Sequence, residues 1–270
     1  MRQDGICSSS QISLSTGIDM SELIVSSLTD HVLEITINRA DRKNAITGDM
    51  YHALAHALLD AKTRDDVRVV LLTGKDGVFS AGNDIQDFVA APPVTHDAPV
   101  WHYFHALMDL DKPLVAAVDG VAIGFGTTTL LHCDLVYATD RSTFALPFAS
   151  LGLTPEGAST ILLPLLIGHR RAAELLLLGE RISAERACVL GIINEVVTVD
   201  ALREVSITRA QDLAALAPEV IRKTKRLMQD GLELLVARQF VAERDAMRDA
   251  VTGVAAQQAF ARFLNKRKAG

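Results

Sequence analysis

Residues 67–85 read Val-Arg-Val-Val-Leu-Leu-Thr-Gly-Lys-Asp-Gly-Val-Phe-Ser-Ala-Gly-Asn-Asp-Ile. The first part, Val67 to Thr73, is rich in β-branched residues and leucine and predicts a buried strand. The strand runs into the loop Gly74 to Gly77, and Phe79 to Ile85 then carries a glycine just before a predicted helix start. In α/β proteins such turns at the carboxyl ends of strands bind ligands, so this stretch predicts both the fold class and a site.

The same arrangement recurs further along the chain. A second buried strand, Leu114 to Val118, precedes Gly120-Val-Ala-Ile-Gly-Phe-Gly126, and a third, Asp134 to Ala138, precedes a turn at 139–142. Another glycine-punctuated segment is Leu151-Gly-Leu-Thr-Pro-Glu-Gly157. Each segment alone also fits an ordinary helix-start turn. Short apolar strands separated by helical segments favour crossover connections and an α/β core.

The flanking regions complete the expected architecture. Leu23–Val25 and Val32–Asn38 predict a strand hairpin, and Thr47 is expected to cap a helix with apolar residues at helical spacing. Beyond about Ser159 the pattern is almost wholly helical, with helices predicted over Arg170–Leu178, Ala184–Leu190, Leu202–Leu216, Val220–Met228 and Leu232–Val251. We expect a disordered leader over 1–20, an α/β core over 21–200, and a helical cap and oligomerisation region over 201–270.

The composition excludes several classes of protein. A net charge of −6 and 5% aromatic residues disfavour a nucleic-acid partner. No run of about 18 apolar residues occurs, so no membrane span is expected. The polar, Ser-rich residues 1–20 lack a signal-peptide core, Met1 and Met20 are both possible starts, and the three cysteines fit a reducing compartment, so we expect a cytoplasmic protein.

Motifs for other chemistries are also missing. His52 and His56 are spaced as in HExxH, but no glutamate follows the first, so no metal site is predicted. Ile161 occupies the last position where a GxSxG hydrolase motif needs glycine. No GxGxxG follows a strand and no Walker lysine occurs, so no nucleotide cofactor is expected.

Taken together, the motifs resemble one family. Their order is similar to that of the crotonase (enoyl-CoA hydratase/isomerase) superfamily. The matching segments are Asn38-Arg39…Asn44-Ala45, Leu72-Thr-Gly74…Phe79-Ser-Ala-Gly-Asn-Asp84, Lys112-Pro113…Val118-Asp-Gly120…Gly124…Cys133-Asp134 and Leu177…Gly179…Ala184…Ala187…Gly191. The resemblance runs from about Leu23 to Val197. It implies an α/β, crotonase-like (ClpP/crotonase) spiral of ββα units with a C-terminal helical region. It also implies an acyl-CoA thioester substrate, no separate cofactor, and a homotrimer or dimer of trimers.

The resemblance further implies an oxyanion hole that binds the thioester oxygen through two backbone amides. By motif, these are the amides of Asn83 and Phe125, each preceded by a glycine that allows close approach of the ligand. Arg42 and Lys43 are similar to positions that line the CoA phosphates and adenine, although an ordinary basic loop would look the same. The remaining positions expected to line the substrate are Ala81, Gly82, Asp84, Ile85, Gly124, Thr128 and Phe148.

The acid–base residues of the family distinguish its reactions. Family hydratases use two glutamates, and the matching positions here are Thr128 and Phe148, neither of which ionises near neutral pH. Glu156 instead matches the base of peroxisomal-type Δ3,Δ2-enoyl-CoA isomerases. One carboxylate suffices to take a proton from C2 and return it at C4, and apolar neighbours such as Leu153 would raise its pKa. Alternatively, Glu156 could merely cap or decorate a helix that starts near Gly157.

We therefore expect an enoyl-CoA isomerase that shifts a Δ3 double bond to Δ2. A ring-acyl or dienoyl isomerase, a weak hydratase, or a CoA-thioester-binding scaffold without activity would share most of these features. The acyl pocket is expected around Gln86 to Tyr103, which is predicted to be a proline-interrupted loop. The helix that carries His102 and His105 is expected to cover this pocket.

Overall fold

The computed structural model describes residues 22–268, so the predicted leader over 1–20 and both candidate start methionines lie outside the described residues. A six-stranded sheet has the order β1-β2-β3-β4-β6-β9, and a small three-stranded sheet has the order β5-β7-β8. In the large sheet, β1 and β2 are antiparallel and all other neighbours are parallel. The strands are β1 (Ile24–Thr29), β2 (Val32–Ile37), β3 (Val69–Gly74), β4 (Leu114–Val118), β5 (Val121–Ile123), β6 (Leu135–Thr139), β7 (Thr143–Ala145), β8 (Ile182–Ser183) and β9 (Glu195–Val197).

Eleven α-helices connect and follow these strands within residues 22–268. They are α1 (Gly48–Thr63), α2 (Ile85–Ala90), α3 (Pro99–Met108), α4 (Phe125–Leu130), α5 (Ser159–Ile167), α6 (His169–Ala173), α7 (Ala184–Leu190), α8 (Val199–Ala214), α9 (Pro218–Asp230), α10 (Glu233–Val251) and α11 (Val254–Lys268). One π-helical turn, Glu174–Leu178, continues α6. The mixed α/β fold with a helical C-terminal region is the fold class that the sequence predicts.

The structure confirms the predicted strand hairpin and the predicted cap of the first helix. The β1–β2 hairpin turns through Asp30 and His31, both with positive φ, which is the geometry of a tight two-residue hairpin loop. Helix α1 begins after Thr47, whose hydroxyl accepts a hydrogen bond from the amide of Met50 at 3.4 Å.

The central strands β3 and β4 of the large sheet are buried on both faces, which explains why they read as unbroken apolar runs. Along β3, Val70 and Leu72 lie in the main core beneath α1 and α3. Val69 and Leu71 lie on the opposite face, where α8 covers them through Leu202 and its neighbours. The first glycine loop, residues 79–85, comes after β3, and the second, residues 120–126, comes directly after β4 and contains the short strand β5 of the small sheet.

The C-terminal helices attach to this layer through specific contacts. Lys225 of α9 is 6% exposed, and its ammonium group donates to the carboxylate of Asp134 at 2.7 Å and to the carbonyl of Lys112 at 2.9 Å. In contrast, Leu216, Val220 and Leu227 are more than half exposed. How these helices divide between core and oligomerisation region stays a prediction.

The structure corrects one sequence prediction. The segment from Gln86 to Tyr103, predicted as a proline-interrupted loop, contains α2 and the first half of α3. Pro99 lies in the first turn of α3, where the missing amide hydrogen costs nothing, so this proline starts a helix. The helix predicted to start near Gly157 is present and begins at Ser159.

Several elements were not predicted, among them β5, β7, β8, β9 and α11. Strands of two and three residues are too short to produce a periodic pattern, and they form because a neighbouring strand is already in place. Within residues 22–268, none of the helices has the length and apolar composition that crossing a membrane requires.

Candidate active site

The first glycine loop holds the amide of Asn83 between two fixed neighbours. Ile46 donates its amide to the carbonyl of Gly82 at 2.9 Å, and Asp84 donates its amide to the carbonyl of Ile46 at 2.8 Å. Ser80 supports the turn from below, since its hydroxyl accepts from the amide of Gly82 at 3.1 Å. No acceptor in the described part of the chain takes the amide of Asn83, which leaves this donor free to bind a ligand.

The second glycine loop presents the amide of Phe125 in the same way. Gly124 has φ +53° and ψ −111°, a conformation open only to glycine, and its own amide donates to Ala145 at 2.9 Å. Its carbonyl accepts from the amides of Thr127 and Thr128, both at 2.9 Å. Among residues 22–268, no hydrogen-bond acceptor lies opposite the amide of Phe125.

The two loops lie side by side. Ser80 donates its amide to Val121 and accepts from the amide of Ile123, both at 2.9 Å. A Cβ atom on Gly82 would approach the carbonyl oxygen of Ile123 to 2.9 Å, so glycine is needed for this close approach. Each of these neighbouring loops thus leaves one backbone amide without an internal acceptor, and such amides are the kind of donor that an oxyanion hole uses.

Tyr51 of α1 connects the two loops, and the sequence prediction did not include it. Its hydroxyl donates to the side-chain Oδ1 of Asn83 at 2.6 Å, and its ring packs edge-to-face on Phe125 with the centroids 5.1 Å apart. Burial, followed by the nearby charge of Glu156, raises the pKa of Tyr51 well above its usual range. Tyr51 therefore touches both amide-bearing residues and also lies close to Glu156.

Glu156 is a buried carboxyl group, 1% exposed. Its Oε1 atom is buried and has no hydrogen-bond partner among the described residues. Burial, and to a lesser degree the charge of Glu243, raises the pKa of Glu156 from 4.5 to about 8. Helix α5 starts three residues later without a side-chain cap, which excludes the alternative that Glu156 caps it.

Three side chains lie against the turn after Glu156, and they are those of Phe104, His132 and Glu243. Gly157 has φ +69°, and a Cβ atom there would come within 2.5 Å of the ring of Phe104. The Nε2 atom of His132 lies 2.7 Å from the carbonyl oxygen of Gly157, and burial lowers the pKa of His132 to about 4. The imidazole is thus neutral near pH 7 and donates from Nε2. The third group is Glu243, which accepts from the amide of Thr160 at 2.7 Å.

The two positions that match the hydratase glutamates are buried and carry no acid. Thr128 is 0% exposed, and its hydroxyl donates to the carbonyl of Phe125 at 3.2 Å. Phe148 is 4% exposed, and its ring lies 4.0 Å from where a Cβ atom on Gly124 would be. Both side chains lie beside the second glycine loop.

Asp84 and Ile85, predicted to line the substrate, are buried at the start of α2. The Asp84 carboxylate accepts from Arg39 at 2.8 Å and from the amides of Gln86 and Asp87. The Arg39 side chain also donates to the carbonyl of Ala45 at 2.9 Å, so this ion pair joins the loop before α1 to the residue next to Asn83. These contacts give Asp84 a role in fixing the amide of Asn83, and direct contact with substrate stays a prediction.

Arg42 and Lys43 lie in an exposed turn, and Lys43 has φ +54°. The carbonyl of Lys43 accepts from the amide of Ala81 at 3.0 Å, which places this basic turn next to the first glycine loop. Asn44, which the prediction did not assign to the site, fixes the turn because its side-chain amide donates to the carbonyls of Lys75 and Val78. Binding of CoA by Arg42 and Lys43 stays a prediction.

This arrangement can perform one kind of chemistry well. Two free amides can stabilise an oxygen on which negative charge develops, and a buried carboxyl with a pKa near neutrality can both accept and return a proton. In the described part of the chain, no group of three or more His, Cys, Asp or Glu side chains is arranged to hold a metal ion.

Comparison with known proteins gives a consistent result. Residues 28–270 match the family described as Enoyl-CoA hydratase/isomerase. Enoyl-CoA delta isomerase 2 of Homo sapiens is 35% identical over 215 residues, which are 77% of this chain and 54% of the human protein. The chain thus spans about half the length of that relative.

Two further relatives match over nearly their whole length. The 1,2-epoxyphenylacetyl-CoA isomerase of Escherichia coli is 34% identical over 92% of this chain and 97% of its own. The solved structure of OdaA from Pseudomonas aeruginosa is 40% identical, with a TM-score of 0.88 over 90% of this chain and 99% of that chain.

Proposed function

The chain belongs to the enoyl-CoA hydratase/isomerase family, and we propose that it is an isomerase that shifts a Δ3 double bond of an enoyl-CoA thioester to Δ2. The observation that carries the proposal is the buried Glu156 carboxyl, whose Oε1 atom has no partner in the described chain. A buried carboxyl without a partner costs stability, so its presence near Tyr51, which contacts both Asn83 and Phe125, points to a function.

In the proposed reaction, the thioester oxygen accepts hydrogen bonds from the amides of Asn83 and Phe125. Glu156 removes a proton from C2, the negative charge moves onto the thioester oxygen, and the same carboxyl returns the proton at C4. The two amides stabilise the enolate more than the substrate, and one such donor contributes about 3–4 kcal/mol in other enzymes. The reaction uses no cofactor, since CoA is part of the substrate.

The pKa of Glu156 suits this double role. A carboxyl with its ordinary pKa would be a poor acid for the return step, whereas one with a pKa of about 8 can act in both directions near neutral pH. Hydration, by comparison, needs a second carboxyl, and neither Thr128 nor Phe148 can supply it.

A second candidate is isomerisation of a ring-containing or epoxy-acyl CoA. It is favoured by the match to the Escherichia coli 1,2-epoxyphenylacetyl-CoA isomerase over nearly all of both chains, whereas the human isomerase matches over only about half its length. This reaction would use the same amides, so the choice between the two depends on the shape of the acyl pocket.

A panel of thioesters tests the proposal. The purified protein is incubated separately with a 3-enoyl-CoA, a 2-enoyl-CoA and an epoxyphenylacetyl-CoA, and the products are identified by mass spectrometry and chromatography. We expect a 2-enoyl product of unchanged mass from the 3-enoyl substrate, and no accumulation of 3-hydroxyacyl-CoA from the 2-enoyl substrate. Rapid turnover of the epoxide alone would favour the second candidate, and rapid hydration would contradict both.

The homotrimer or dimer of trimers, and the cytoplasmic location, also stay proposals. The exposed apolar side chains of Leu216, Val220 and Leu227 support an oligomer, because such surface is usually covered. Sedimentation at micromolar concentration should show a species of at least three chains, and a single 29.1 kDa species would contradict the proposal.

A further inference from the structure

A second buried carboxyl lies close to Glu156 although it is far away in the sequence. Glu243, on α10, is 4% exposed, and its Oε1 atom accepts from both the amide and the hydroxyl of Thr160, at 2.7 and 2.5 Å. The Thr160 hydroxyl in turn accepts from the side-chain amide of Gln239 at 2.7 Å. The other oxygen of Glu243 is buried and has no partner among residues 22–268.

Glu243 supplies a helix cap that the local sequence lacks. Gly157 and Ala158 both have left-handed backbone conformations, and Ala158, as the N-cap of α5, has no side chain that could accept a hydrogen bond. The left-handed conformation is unfavourable for a residue that has a Cβ atom, such as Ala158. A carboxylate that accepts from Thr160 compensates for the missing cap and fixes the turn that carries Glu156.

We propose that Glu243 is a positioning residue for Glu156: its carboxylate holds the 156–160 turn and places a second negative charge behind the Glu156 carboxyl. The inference rests on the proposed function, in which Glu156 is the base. Glu243 itself, bonded to Thr160, takes no part in proton transfer to the substrate.

The hydrogen bonds make the two carboxyls unequal. Burial raises the pKa of both groups, but the two hydrogen bonds from Thr160 act in the opposite direction on Glu243 alone. Glu243 therefore ionises first, and its charge then opposes ionisation of Glu156. This is how a pair of neighbouring carboxyls can divide into one permanent charge and one proton carrier.

Other titratable groups face the pair from α1, α3, the segment after α4, and α10. Burial raises the pKa values of Tyr51 and Tyr103, and lowers the pKa of His132 to about 4 and that of His105 below its usual range. All four are thus uncharged near neutral pH. After burial, the positive charge of Arg244, on the same helix as Glu243, is the next cause that lowers the pKa of His105. Of these neighbours, only Glu243 adds a negative charge beside Glu156.

The pH dependence of kcat/KM in Glu243→Gln tests the inference. Glutamine keeps the oxygen that accepts from Thr160 but removes the charge, so the acidic limb of the profile should move to lower pH. A displacement of one pH unit, from about 8, would raise kcat/KM at pH 6.5 by about eightfold relative to the plateau. The matched control is Glu233→Gln, which removes the same charge from an exposed position on the same helix and should leave the limb in place.

The outcomes separate this inference from the proposed function. If Glu156→Gln is inactive and the acidic limb of the kcat/KM profile of Glu243→Gln lies at the same pH as in wild type, the inference is wrong and the proposed function stands. If Glu156→Gln stays active while Glu243→Gln does not, Glu243 is the base and both are wrong.

A measurement that needs no Glu243 variant covers the case in which Glu243→Gln does not fold. Infrared titration of wild type should show two buried carboxyls, with the later one losing its proton near pH 8. In Glu156→Gln that later signal should vanish, and the signal of Glu243 should stay where it is in wild type, because Glu243 ionises while Glu156 is still neutral. A carboxyl that still titrates near pH 8 in Glu156→Gln would mean that Glu243 is the later of the two and would overturn the inference.

Discussion

The pH profile of the proposed isomerase reaction follows directly from the environment of Glu156. Only the ionised carboxylate can take the proton from C2, and the pKa of Glu156 in the free protein is about 8. About one molecule in a hundred is ionised at pH 6, about one in ten at pH 7, and half at pH 8. We therefore expect kcat/KM to rise about 50-fold between pH 6 and pH 8 and to level off above pH 9.

The assay uses a 3-enoyl-CoA well below its KM, with initial rates followed by absorbance of the conjugated 2-enoyl thioester. Circular dichroism at each pH ensures that the protein is folded, and a control without enzyme corrects for thioester hydrolysis. A profile that is flat from pH 6 to pH 8, or an acidic limb near pH 4.5, would mean that Glu156 is not the titrating base. In the first case another residue performs the proton transfer, and in the second the carboxyl is exposed to water when it reacts.

Three further results are expected. The folded-state pKa of Glu156 is above its unfolded value, so the stability that this group contributes is present below pH 4.5 and is lost as the pH rises through about 8. Urea unfolding at pH 8 should therefore show that Glu156→Gln is more stable than wild type by up to a few kcal/mol. Equal or lower stability of the variant would contradict this. Gly124→Ala strains the turn before Phe125 and should lower kcat by about 10²–10³-fold, the usual loss for one oxyanion donor, whereas Gly231→Ala, with ordinary φ and open space, should not. Tyr51→Phe removes the bond to Asn83 and should lower kcat by about tenfold with KM nearly unchanged, so a change confined to KM would indicate a role in binding only.

The sequence was sufficient to predict the framework of the site because the relevant features are local. A buried strand followed by a glycine turn is visible in residues 67–85, and the turns at Gly82 and Gly124 lie where the motifs place them. The absence of an acid at the hydratase positions is likewise a matter of residue identity at Thr128 and Phe148. The family and the α/β fold with its C-terminal helices follow from these same segments.

The sequence could not predict the contacts that cross the fold. Tyr51 faces Asn83 only because α1 packs beside the first glycine loop, and nothing in the pattern of α1 marks this side chain as special. Glu243 is 83 residues away from Thr160, within a helix whose other acidic residues are ordinary surface groups. His132 likewise acts through the carbonyl of Gly157, a bond that depends on how α4 ends. Only the packed structure brings these groups together.

The most direct test of the central claim is the exchange of the C2 proton with solvent deuterium in Glu156→Gln. Glutamine keeps the shape of the side chain but cannot accept and return a proton, so both exchange and turnover of a 3-enoyl-CoA should fall by about 10³–10⁴-fold, near the upper end for loss of a general base, with acyl-CoA affinity nearly unchanged. Glu185→Gln, at an exposed position on α7, should retain wild-type rates for both. If Glu156→Gln keeps more than about a tenth of either rate, a loss far below the general-base range, then another group carries the proton and the single-carboxyl mechanism is wrong.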